Sequence, residues 1–131
     1  MEKKKIPRHE AVTPIPKGDI HFEISFYEGL LQKDPNFIEA LMALAHDYTR
    51  VGRYSEGLNA DRQLSKLLPN EPTVHYNLAC SLTLTDQLDE AGMALMKSLE
   101  LGYEDIDHLE KDPDLIKLRN HPIYNEIRKK F

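Results

Sequence analysis

The chain has 131 residues, 40% of them hydrophobic, a formal net charge of −5 and one cysteine, enough for a single domain with its own core and too little cysteine for a disulfide framework. Residues 1–18 carry five basic and two acidic groups (+3), residues 19–120 nine and nineteen (−10), and residues 121–131 three and one (+2). An acidic body argues against nucleic acid as a partner, because phosphate contacts need clustered Lys and Arg. No apolar run approaches the roughly 20 residues that cross a bilayer, and MEKKKIPRHE lacks the apolar centre of a secretory signal, so the expectation is a soluble cytoplasmic protein with no membrane contact.

Residues 1–18 hold three of the eight prolines and almost no apolar periodicity, which predicts a flexible arm. From Asp19, Ile20, Ile24, Tyr27, Leu30 and Leu31 follow helical spacing until Asp34-Pro35, where the residue before proline disfavours continuation. A second helix is predicted over 37–51, with Leu41, Leu44, Ala45 and Tyr48 on one face and Gly52 as its C-cap. Helix restarts near Tyr54 and runs to about Leu68, where Pro69-Asn70-Glu71-Pro72 makes a turn.

The next pair spans about 72–84 and 87–101, the latter with Leu88, Ala91, Leu95 and Leu99 as one stripe closed by Gly102. Asp86 stands where Gly52 stood. Beyond Gly102 the sequence offers shorter pieces, about 104–111, 113–119 and 122–130, whose apolar residues Leu109, Leu115, Leu118, Tyr124, Ile127 and Phe131 suit a C-terminal cap over an otherwise open apolar face.

Several of these features recur at an interval of 34 residues: Leu44-Ala45-x2-Tyr48 with Leu78-Ala79-x2-Leu82, Pro35 with Pro69, Asn36 with Asn70, and Glu56 with Glu90. The units Leu41-x2-Leu44-Ala45-x2-Tyr48, Gly57-x3-Asp61, Pro69 and His75-x2-Leu78-Ala79-x2-Leu82, Ala91-x3-Leu95, Tyr103 resemble the tetratricopeptide repeat (TPR). Small residues, Ala45, Gly57, Ala79 and Ala91, fall where two helices must approach closely. The tail HLEKDPDLIKLRNHPIY is similar to the ending after the last repeat of many bacterial TPR proteins. The resemblance implies an all-α, short right-handed α-solenoid of antiparallel helix pairs: an N-terminal half-repeat helix over 19–35, repeats over 38–71 and 72–105, and a cap over 106–131.

In that family the first helices of successive repeats line a concave groove. Carried over residue by residue, the groove is Glu39, Met42, Ala43, His46, Thr49 and Arg50, then Thr73, Tyr76, Asn77, Cys80, Thr83 and Leu84. Met42 would be an adaptable contact, Tyr76 an aromatic anchor and Arg50 a cation for a carboxylate. Asn77 matches one position of the clamp with which some TPR domains grip a C-terminal carboxylate, but Met42 and His46 stand where that clamp needs Lys and Asn. The implied function is non-catalytic binding of a peptide or protein partner, as an adaptor or assembly scaffold. The alternative is a self-assembling homo-oligomer, through the groove, the arm around Ala11–Pro16 or the C-terminal helix.

No catalytic constellation, cofactor loop or metal framework has convincing spacing, and the six histidines lack the i, i+4 pairing that puts two ligands on one helix face. His46 and Cys80 share a repeat position, so an imidazole and a thiol could approach. Asp61 and His75 replace bulky apolar residues of the pattern, and an unpaired carboxylate there would be costly; in the stacking that the resemblance implies, either the two pair with each other or Asp61 turns to solvent.

Overall fold

The computed structural model describes residues 19–131; the expected arm over 1–18 lies outside the described residues. The described chain is all-helical: α1 (Ile20–Lys33), α2 (Ile38–Arg50), α3 (Tyr54–Leu67), α4 (Pro72–Leu84), α5 (Leu88–Glu100), α6 (Ile106–Lys111), a 3-10 turn (Pro113–Leu115), α7 (Ile116–Arg119) and α8 (Pro122–Lys130). Among the described residues no helix is long and apolar enough to cross a membrane.

Local chemistry sets the ends. The side chains of Asp19, Asp105 and Asp112 accept the backbone N–H of Phe22, His108 and Asp114, and Pro72, Pro113 and Pro122 occupy first-turn positions where no N–H is needed. The α2–α3 turn places Gly52 at φ 81°, and the equivalent α4–α5 turn places Asp86 at φ 62°. Asp is among the few non-glycine residues that tolerate this left-handed conformation.

Each helix packs on the next from α1 to α5, and the 3-10 turn, α7 and α8 fold back onto α4 and α5. The largest core cluster joins Leu78, Leu82, Ala91 and Leu95 of α4 and α5 to Leu109, Leu115, Leu118 and Ile127 of the C-terminal pieces. Each of those four C-terminal side chains is fully buried, a contribution of about 1.5–3 kcal/mol apiece. Gly92 permits the contact of α5 with α8, for a Cβ there would stand 2.6 Å from Ile123 Cδ1. Smaller clusters hold α1 to α2 (Ile24, Tyr27, Ala40, Ala43, Leu44, Tyr48) and α2 to α3 and α4 (Leu41, Ala45, Ala60, Leu64, Val74).

The expected pairing of Asp61 with His75 is not the one adopted. Ser81 Oγ donates to Asp61 Oδ2 inside the α3–α4 contact, while His75 Nε2 lies 2.8 Å from the Pro69 carbonyl oxygen. A hydroxyl further along α4 satisfies the buried carboxylate, and the imidazole at the helix start closes its own turn.

Candidate partner-binding face

Helices α2 and α4 begin and end 34 residues apart, at Ile38 and Arg50 and at Pro72 and Leu84, so the side chains of one stripe have counterparts on the other. Glu39, Met42, His46 and Arg50 form an i, i+3, i+7, i+11 row on α2, answered by Thr73, Tyr76, Cys80 and Leu84 on α4. On α2 only the ends of this row are exposed, Glu39 and Arg50; His46 is half-buried, as is Met42, which packs in part on the cluster of Leu41, Ala45 and Val74. On α4 Thr73 and Leu84 are half-buried, but Tyr76 and Cys80 are sealed at 0% and 2% exposure.

The chain's own C-terminal segment covers that α4 row. Tyr103 stacks on Tyr76 with ring centroids 4.4 Å apart and planes 2° from parallel, and the His108 ring tilts against Tyr76 at 5.8 Å. Asp112 Oδ2 accepts from Tyr76 Oη at 2.7 Å, from Cys80 Sγ at 3.7 Å and lies 2.9 Å from His108 Nε2, while Oδ1 accepts the Asp114 N–H. Burial, then the surrounding acidic groups headed by Asp112, push the Cys80 thiol well above its ordinary pKa, which withholds the thiolate a nucleophile requires. Burial likewise pushes the Tyr76 phenol up.

Tyr76 is therefore not an open aromatic anchor, and Cys80 does not line an open groove. Three further expectations need the same correction. Ala43 is fully buried against α1 with Ile24 and Tyr27, its methyl set at the helix contact. Thr83 is buried and bonds back to the Ala79 carbonyl at 2.7 Å. Thr49 bonds back to the Ala45 carbonyl and lies against Gly57, so it belongs to the α2–α3 seam. Asn77 is half-buried, with its side-chain oxygen enclosed and lacking a hydrogen-bond partner. Cys80 points to Asp112, which the sequence did not single out; the only hint was Asp112-Pro113, a second Asp-Pro after Asp34-Pro35.

Two other features escaped the sequence. An open cleft of about 360 Å³ runs between α1 and α3, floored by Leu31, Leu41, Leu44 and Ala60 and rimmed by Glu28, Gln32, Glu56, Asn59 and Gln63. Its end is tied by Tyr48, whose hydroxyl donates to Glu28 and whose ring lies 4.7 Å under the Arg53 guanidinium; Arg53 in turn grips Glu56 through two bonds of 2.6 Å. The polar pairs at i, i+4, Glu28 with Gln32 and Asn59 with Gln63, were the available signal. The second feature is Asp47, 1% exposed on α2. Burial first, then the charge of Glu23 and a hydrogen bond to its carboxyl, push Asp47 up to about 6 against a counter-pull from Arg50.

No family model matches the chain. Over 87 residues, 64% of this chain, it is 33% identical to a protein of Arabidopsis thaliana whose name describes it as chloroplastic. The chain spans about a quarter of that relative, 26% of its length.

Proposed function

We propose that the chain is a short right-handed TPR solenoid acting as a non-catalytic module that binds a peptide or protein partner, as an adaptor or assembly scaffold. The observation that carries this reading is the unequal use of one repeated row. On α4, Tyr76 and Cys80 hold a segment of the same chain through an aromatic stack and a carboxylate. On the equivalent row of α2, Glu39 and Arg50 are exposed and Met42 and His46 half-buried. A partner segment would lie along α2 as residues 103–112 lie along α4, with an apolar side chain against Met42 and a carboxylate on Arg50.

The 34-residue equivalence of α2 with α4 and the buried state of Cys80 both favour this reading over an enzyme. The proposed setting is the cytoplasm, as the sequence suggests; the chloroplast in the relative's name is that protein's. The test is quantitative affinity capture with wild-type protein, the variants Met42→Glu and Arg50→Glu, and Met93→Glu as a remote surface control. Loss of the same prey in both α2 variants but not in the control is expected. Prey retained by both would move binding off α2.

Self-assembly through the C-terminal helix, one form of the alternative, is the less favoured reading. Tyr124 and Ile127 of α8 are buried within the chain, and α8 packs on α5 and α7.

A further inference from the structure

Helix α1 packs on α2, whereas α3 is gripped between α2 and α4. The side of α1 away from α2 carries Phe22, Phe26, Gly29 and Lys33 at i, i+4, i+7 and i+11, opposite the inward Ile20, Ile24, Tyr27 and Leu31. Phe22 is 57% and Phe26 40% exposed, and a Cβ built on Gly29 would meet nothing within 4 Å. The flanking Ser25 and Gln32 are exposed and uncharged. The row is thus two aromatic knobs beside a hollow, with a carboxylate, Asp19, at its start and an ammonium, Lys33, at its end.

We infer that this face is a homodimer seam in which α1 pairs antiparallel with α1 of a second copy, independently of the partner face on α2. A twofold axis at Phe26 sets each residue opposite one equally far on the other side. Phe26 meets its own counterpart, Phe22 enters the hollow at Gly29 and Leu30, and Asp19 faces Lys33. The same row is therefore complementary to itself in shape and charge, as an isologous contact requires. A parallel pairing would set Asp19 against Asp19 and Lys33 against Lys33. The seam of one helix face is small by interface standards, so the dimer dissociates on dilution.

Sedimentation equilibrium of the full chain across the micromolar range tests it, with circular dichroism to establish that each variant keeps its helices. Wild type is expected to rise from monomer towards dimer mass. Phe22→Glu/Phe26→Glu is expected to stay monomeric while Met93→Glu behaves as wild type. Lys33→Glu is expected to weaken dimerisation at least tenfold, and Asp19→Asn, which removes the charge but keeps an N-cap residue, is expected to restore part of it. A wild type monomeric throughout overturns the inference. If Phe22→Glu/Phe26→Glu then speeds amide exchange in residues 1–18, the occupant is the chain's own N-terminus. A dimer that survives Phe22→Glu/Phe26→Glu overturns it equally.

Discussion

Tyr76 donates its hydroxyl proton to Asp112 across 36 residues of sequence, at 2.7 Å and out of contact with water. This bond, with the Tyr103 stack above it, fastens the C-terminal segment to the row of α4 that resemblance had placed in an open groove.

Removing that donor leaves a buried carboxylate under-satisfied. Tyr76→Phe is expected to lower unfolding free energy by about 1–2 kcal/mol, and Asp112→Ala, which also removes the cap on the 3-10 turn, by about 3 kcal/mol. Urea titration followed by helical circular dichroism measures both; an unchanged midpoint for Tyr76→Phe would show that the bond contributes nothing net.

Gly92 faces Ile123 so closely that an alanine Cβ would sit 2.6–3.1 Å from three of its side-chain carbons. Overpacking of this kind costs about 1–3 kcal/mol, against about 1 kcal/mol regained in helix propensity. Gly92→Ala is therefore expected to destabilise the wild type but to stabilise an Ile123→Ala background. A double-mutant cycle in denaturant reads the reversal, and equal effects in the two backgrounds would dismiss the steric account.

Asp47 gives the fold a dependence on pH. Its folded pKa of about 6 exceeds the ordinary 3.8, so the folded state holds the proton more tightly. Its contribution is complete below about 3.8 and is lost as pH rises to about 6. The groups that act on it are Glu23 of α1, which shares the hydrogen bond, and Arg50 of α2, which opposes the shift. After allowance for solvent screening the loss is about 1–2 kcal/mol. Asp47→Asn should flatten the stability profile between pH 4 and 6, as thermal melts across that range will register; an undiminished slope would assign the dependence to other groups.

Cys80 should resist modification while the chain is folded. Its thiol is 2% exposed and its thiolate disfavoured by burial and by Asp112. A thiol-specific reagent is expected to label it only as denaturant unfolds the protein, with labelling and loss of helix sharing one midpoint. Rapid labelling of the native protein would mean that the C-terminal segment opens on its own.

The helices were legible because apolar periodicity, the prolines at 35, 69 and 72 and the glycines at 52 and 102 act over a few residues, and α1 to α5 lie within a residue or two of where those signals put them. Asp86 in the place of Gly52 was equally local: its left-handed backbone follows from the turn that both sequences make. The face was less legible. Met42 and Tyr76 are equivalent by repeat arithmetic, yet one lies half-open and the other is sealed, because a segment some 30 residues downstream chose one of two like surfaces.

By itself, then, the sequence determined an all-α chain, its helix boundaries and the 34-residue equivalence of α2 with α4, since these rest on dihedral preference and on the period of apolar residues. Only the tertiary structure decided that Asp61 pairs with Ser81, that Asp112 gathers Tyr76, His108 and Cys80, and that α1 turns Phe22 and Phe26 to solvent. Such choices depend on which of several compatible groups arrives within hydrogen-bonding or van der Waals reach once the helices pack, a distance that spacing along the chain does not encode.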